Sequence, residues 1–359
     1  MKTLFVNCKF LNKIIDFKTL LVIVLLYAFL KTYFDFQKLE ASVKTCKNND
    51  RNDKPIIFIG GSPRSGTTLM RVMLDTHRDI SCGDETKILP VFLMLAKKAE
   101  THTSLQKEIL QKNGMTNDII NTASKAFIYN ILEGHSNFTP ILCAKDPTIL
   151  SSTTYLSDIL PTSKFIFMIR DARPVVLSIV KRAVSLAGFS SDLENNLRIW
   201  NELVEDMYRQ CEYVGKERCL PVYYEQLVLH PEKETRNIYK FLNLEWTDAV
   251  LHHEDYFHKK IHLSDLAKSA DQVIKPVNIE SLYDWIDNIP QNILDNIDSI
   301  APMLKVLGYD TKSKRPDYGK PDQKILDNTL LIKANPEKWN ELKKNHSFYF
   351  RNKKLNKIN

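Results

Sequence analysis

The stretch from Pro55 to Leu74 limits the possible folds more than any other part of this chain. Ile56-Ile57-Phe58-Ile59 is a short apolar run, Gly60-Gly61-Ser62-Pro63-Arg64-Ser65-Gly66-Thr67-Thr68 is rich in turn residues, and Leu69, Val72 and Met73 follow with helical spacing. A run of that length, bounded by Pro55 and a glycine pair, predicts a strand buried on both faces, as in a parallel sheet. Feeding it through a turn into a helix aims several backbone N–H groups and the helix's positive end at one point, which is the physical recipe for an anion site. Gly61 and Gly66 have Walker A spacing, yet Thr67 stands where the lysine would be and the cation, Arg64, lies inside the loop. Splitting ATP needs that lysine, a magnesium ligand and an acidic strand. A less highly charged group can be handled by arginine, lysine and hydroxyl donors without metal.

Ile141-Leu142-Cys143-Ala144 and Phe165-Ile166-Phe167-Met168-Ile169 are further candidate strands, each followed at once by charge: Lys145-Asp146 and Arg170-Asp171-Ala172-Arg173. Arg173 is read as an exposed helix-start charge. Helices are expected over 117–134, 193–214 and 235–242, and a strand over 220–224. Strands alternating with helices imply an α/β fold with a central parallel sheet, whose ligands gather at the carboxyl ends of the strands. One catalytic domain is expected over 55–310. The polar residues 311–359 are expected to be extended or partly disordered.

The chain has 359 residues, 43% hydrophobic and 26% charged, with only 10 glycines, which excludes a Gly-rich disordered protein. Its net charge of +7 suits an anionic ligand, an acidic polypeptide or a membrane surface. Lysines precede an apolar segment, so residues 1–18 are expected in the cytosol, 19–34 as an uncleaved transmembrane signal anchor, and 35–54 as a hydrophilic lumenal stem. Cys82, Cys143, Cys211 and Cys219 lie in the globular part. Two disulfides are possible there, Cys211 with Cys219 closing a short loop, and zinc is the competing account. Asn137 and Asn345 begin N-glycosylation sequons.

Six phrases stand in order along the chain: Pro63-Arg64-Ser65-Gly66-Thr67-Thr68, Cys82-Gly83-Asp84-Glu85-Thr86, Cys143-Ala144-Lys145-Asp146-Pro147, Val222-Tyr223-Tyr224-Glu225, Leu251-His252-His253-Glu254-Asp255 and Asp271-Gln272-Val273-Ile274-Lys275-Pro276-Val277-Asn278. Together they closely resemble the tyrosylprotein sulfotransferases, from about Lys54 to about Tyr318. The resemblance implies a P-loop-type sulfotransferase fold and a single-pass type II Golgi membrane enzyme, homodimeric, with its catalytic domain lumenal. Such an enzyme moves a sulfuryl group from 3′-phosphoadenosine 5′-phosphosulfate (PAPS) to tyrosine hydroxyls in acidic segments of secretory-pathway proteins. Its roles fall on Glu85 as general base and on Arg64, Lys145 and Ser269 as stabilisers of the transition state and leaving group. Ser65, Gly66, Thr67 and Thr68 would meet the 5′-phosphosulfate, and Arg170, Ser178 and Arg182 the 3′-phosphate. Tyr224, Ser269, Ala270 and the segment Asp271 to Asn278 would complete the donor site. Lys87, Ile88, Leu89, Pro90 and Val91 would face the acceptor peptide. The implied disulfides are Cys82 with Cys143 and Cys211 with Cys219.

The residue chemistry agrees. A phenol with a pKa of about 10 is a poor nucleophile until a base takes its proton. Charge growing on the departing oxygen calls for a fixed cation or hydroxyl, worth roughly 3 kcal/mol of barrier for each donor. The chain departs from the family where arginines are usual two and six residues after the base, holding Lys87 and Val91, and at Asp284, where vertebrate members carry a lysine. A carbohydrate sulfotransferase and a non-catalytic Golgi protein retaining the fold are the alternatives. His252-His253-Glu254 is read as structural, not metal-binding.

Overall fold

The computed structural model describes residues 54–342 except 101–107, 110, 135–138, 185–187, 258, 262 and 265–267, together with residues 30, 31 and 33 of the leader. The rest of the 19–34 segment, the stem up to residue 53, the end of the tail and both sequon asparagines, Asn137 and Asn345, lie outside the described residues. Among the described residues no helix is long and apolar enough to cross a membrane.

The described residues from Lys54 onward form one compact unit around a five-stranded sheet in the order β2-β3-β1-β4-β5, every neighbouring pair parallel. The strands are β1 (Ile56–Gly61), β2 (Ile80–Cys82), β3 (Ile141–Lys145), β4 (Lys164–Ile169) and β5 (Cys219–Tyr223). All six residues of β1 are buried, as a central strand requires. Alternation sorts them: Ile56 and Phe58 join one apolar layer with Phe165 and Phe167, while Ile57 and Ile59 join the other with Ile166 and Met168.

Helices cover both faces. On the second layer lie α1 (Thr67–Asp75) and the later pair α7 (Tyr224–Leu229) and α8 (Pro231–Leu242); on the first lie α2 (Ile88–Glu100), α3 (Asn117–Glu133), α4 (Thr153–Ile159), α5 (Ala172–Lys181) and α6 (Leu193–Val214). The helix expected over 193–214 forms with those bounds, started by the Asp192 carboxylate accepting from Glu194 N at 2.9 Å and Asn195 N at 3.2 Å. α8 begins earlier than its apolar spacing suggests, because Pro231 is preorganised for the first helical turn.

The 311–359 tail is not extended throughout. Gln323–Ala334 is a helix, α9, with Ile325, Thr329 and Ile332 buried. Its apolar residues are too sparse to mark it in a polar segment, but they cover one stripe. The helix braces the loop before it in space: Asn328 Nδ2 donates to Val277 O at 3.0 Å, and Ile279 N donates to Thr329 Oγ1 at 3.4 Å. Both expected disulfides form. Cys82–Cys143 joins β2 to β3 in register, and Cys211–Cys219 ties the end of α6 to β5. With separations of 61 and 8 residues, loop closure in the unfolded chain makes them worth roughly 4 and 2.5 kcal/mol.

Candidate active site

Parallel order places the ends of β1, β3 and β4 side by side, at the point where the chain's path divides to the two sides of β1. Gly61, Lys145 and Arg170 therefore converge on one edge. A cavity of about 1040 Å³ opens there, lined from the glycine-rich turn, the Glu85 loop, the β3 and β4 ends and the 269–278 segment.

The turn is built by its glycines. Gly66 has φ 98°, and a Cβ there would fall 2.4 Å from Cδ2 of Tyr224, whose ring packs against the turn. Arg64 also adopts the left-handed region, at φ 72°, which costs on the order of 1–3 kcal/mol and is tolerated where the surroundings hold it. They do so here. Arg64 Nε donates to Ser178 Oγ at 2.9 Å, Nη2 to Gln272 Oε1 at 2.9 Å and Nη1 to Ser269 Oγ. Its carbonyl accepts from Arg170 Nη1 at 3.0 Å.

Three guanidinium groups share this corner. Burial first, then Arg182 and Arg170, lower Arg64 to about 10. Arg182 is held by a two-pronged pair with Asp271 at 2.8 and 3.0 Å, and Arg170 lies 4.2 Å over the Tyr224 ring while donating to Ser281 O at 2.7 Å. Among the described residues Arg170 Nε and Ser65 Oγ are buried with no hydrogen-bond partner. Crowded cations, two orphaned donors and a helix start without acidic residues all lack the same thing, an anion with several oxygens. A nucleotide carrying phosphate at two positions fits that donor set.

Beside the turn, Lys145 Nζ donates to Glu85 Oε1 and, at 3.5 Å, to Thr68 Oγ1. Lys145 is buried, and that burial lowers its pKa while Glu85 raises it. Glu85 is a third exposed at its side chain, so it faces the cavity. Asp146 does not pair with Lys145. Its Oδ2 accepts from Thr86 Oγ1 at 3.0 Å and Lys87 N at 3.1 Å, pinning the Glu85 loop to the end of β3, while Thr86 Oγ1 caps α2 through Leu89 N at 3.2 Å. Glu85, Lys145, Thr68, Arg64 and Ser269 thus occupy one small region.

Most of the expected site residues line the cavity, including Thr67, Arg170, Arg182, Tyr224, Asp271 to Val273 and Lys275 to Asn278. Lys87, Pro90 and Val91 do so at the start of α2. Ser65, Ile88, Leu89, Ser178, Ala270 and Ile274 do not; Ile88 is half exposed and Leu89 is core. Ser178 lies behind Arg64, its Oγ accepting from Arg64 Nε. Asp284 lines the cavity near Arg170 and Lys181. Arg173, expected to be exposed, is 1% exposed, because at the start of α5 its guanidinium forks onto the buried Asp171 carboxylate and lies 4.4 Å over the Trp285 ring. His253 is fully buried beside Phe257, in keeping with a structural reading of the paired histidines.

Residues missed by inspection of the sequence include Arg71, Ser281, Glu225, Tyr309 and Tyr318. Arg71 had a signal: with Asp75 it forms a charged i, i+4 pair in a helix whose other residues after the two threonines are apolar. Ser281 and the two tyrosines meet the site only through tertiary contacts.

The class follows from this fold and cradle: a family model described as "Sulfotransferase family" matches residues 55–248. Protein-tyrosine sulfotransferase 1 of Danio rerio is 46% identical, the match covering 84% of this chain and 87% of the relative. Protein-tyrosine sulfotransferase 1 of Homo sapiens is 48% identical over 78% of this chain and 76% of its own, and Protein-tyrosine sulfotransferase A of Caenorhabditis elegans 46% over 79% and 75%. The chain belongs to the protein-tyrosine sulfotransferase family.

Proposed function

We propose that this chain transfers a sulfuryl group from PAPS to tyrosine hydroxyls of polypeptides, leaving adenosine 3′,5′-bisphosphate. The observation that carries the reading is the Glu85–Lys145 pair standing at the N-terminus of α1, next to the Arg64–Ser269 contact and in one cavity with it. The donor supplies the activated sulfuryl group, and the protein supplies proton transfer and charge stabilisation. Glu85 takes the phenolic proton as the tyrosine oxygen bonds to sulfur. Lys145, Arg64 and Ser269 meet the negative charge that grows on the bridging oxygen as its bond to sulfur breaks. Arg170 and Arg182, with Ser178 behind Arg64, suit the 3′-phosphate, since guanidinium forks grip two oxygens at once.

At the acceptor end, Lys87 offers a point charge and Val91 none. Acidic residues flanking the tyrosine are therefore expected to be preferred less strictly than two arginines would impose. The lysine-flanked 19–34 segment, two disulfides and two sequons support a type II placement in the Golgi membrane with a lumenal catalytic domain. Homodimerisation is proposed from the family.

The test is to incubate the purified full chain with radiolabelled PAPS, an acidic tyrosine peptide, its phenylalanine twin and a sugar acceptor, without divalent metal. Label is expected on the tyrosine peptide alone. Label on the sugar, or on none of the three, would contradict the reading.

A further inference from the structure

Arg71 and Asp75 lie one turn apart on α1 and are 3% and 4% exposed. Arg71 Nε stands 2.9 Å from Asp75 Oδ2. A buried ion pair is costly unless its remaining donors and acceptors are used. Here they converge on one residue of another element. Cys82 N donates to Asp75 Oδ1 at 2.6 Å, and Cys82 O accepts from Arg71 Nε at 3.2 Å and Nη2 at 2.9 Å. Arg71 Nη1 reaches Asp84 Oδ1 at 3.5 Å.

Cys82 ends β2, the edge strand of the sheet. Its outward N–H and C=O, which would otherwise need water or another strand, are both taken by side chains of α1. From the other side the Cys82–Cys143 bridge fixes β2 to the strand that carries Lys145. Glu85 follows three residues after Cys82. One helix therefore bears the anion turn at its start and, two turns on, a grip on the strand that delivers the base.

Resting on the activity proposed above, we infer that Arg71 and Asp75 are positioning residues that set the Glu85 loop against the donor turn. They act through Cys82 and Asp84, not on the reacting atoms. An error of about 1 Å between base and donor can cost on the order of a hundredfold in rate, so the clamp bears on turnover more than on donor binding.

The test uses the full chain with Asp75→Asn and Arg71→Lys. Asp75→Asn keeps an oxygen for Cys82 N but removes the charge that holds Arg71; Arg71→Lys keeps a cation but loses the fork onto Cys82 O. In both, kcat is expected to fall about 10- to 100-fold, with the calorimetric Kd for adenosine 3′,5′-bisphosphate within about twofold of wild type. Hydrogen exchange at residues 83–87 is expected to quicken at least about tenfold while that at 65–70 is unchanged. Exchange does not depend on the acceptor, so it tests the clamp even if the tyrosine reaction fails. A fall in kcat matched by an equal loss of bisphosphate affinity would make the pair a general structural prop and overturn the inference, as would unchanged exchange at 83–87. If Asp75→Asn does not fold, Arg71→Lys, which retains the buried charge pair, decides.

Discussion

At the scale of single residues, the site is organised by which charges have partners inside the protein and which are left for a ligand. Lys145 is neutralised by Glu85; Arg182 is paired with Asp271 but still partly open to the cavity, and Arg170 spends its protein contacts on carbonyls and keeps Nε free of any acceptor among the described residues. Asp284 complicates that corner. It lines the cavity, burial pushes its carboxyl up, and Lys181 and Arg170 pull it down. An acid there competes with an incoming phosphate for Arg170. Asp284→Asn is expected to tighten adenosine 3′,5′-bisphosphate binding about fivefold, the effect of removing roughly 1 kcal/mol of repulsion. Isothermal titration calorimetry checks this, and unchanged or weaker binding would show that Asp284 does not face the phosphate.

At the scale of elements, the donor corner is tied to distant chain by a buried polar network. Glu225, at the start of α7, accepts from Asp171 N at 3.0 Å and from the Tyr309 hydroxyl at 2.9 Å; Asp171 accepts from the Tyr318 hydroxyl at 2.8 Å. Arg173 lies 4.4 Å over Trp285 and donates to Asp310 O at 2.8 Å. The turn that aims Arg170 is thus locked to the segment leading to α9. Burial, above all, raises Glu225 to about 7, against the hydrogen bond from Asp171 N, which lowers it; the Asp171 carboxylate raises it and Arg170 lowers it. Because the folded pKa lies above the unfolded one, the folded state binds more protons between about pH 4.5 and 7, and stability from this group is lost as pH rises through that window. Glu225→Gln cannot ionise. Relative to wild type it is expected to gain on the order of 3 kcal/mol between pH 5 and pH 8, read from denaturant melts at the two values. An identical difference at both would mean Glu225 does not titrate there.

At the scale of the whole molecule, local signals carried the central strands and the turn between β1 and α1. The runs at Ile56, Ile141 and Phe165 are short and apolar because they are buried on both faces; the first ends in the glycine turn, and the other two end in the charges, Lys145 and Arg170, that the parallel sheet delivers to one edge. Glu85, in contrast, is an ordinary charged residue taken singly; only its phrase and the family resemblance marked it. What the sequence concealed is nonlocal. β2 is three residues long, so it has no period to read. α9 depends on contacts with Val277 and Ile279, and the buried state of Arg173 depends on Asp171 and Trp285. The proposed reaction rests on one claim: Glu85 is the proton acceptor in a site whose donor grip lies elsewhere. The most direct measurement compares Glu85→Gln with wild type for sulfation of a tyrosine peptide and for bisphosphate binding. Turnover is expected to fall at least about a hundredfold with bisphosphate affinity nearly intact; turnover equal to wild type would contradict the claim.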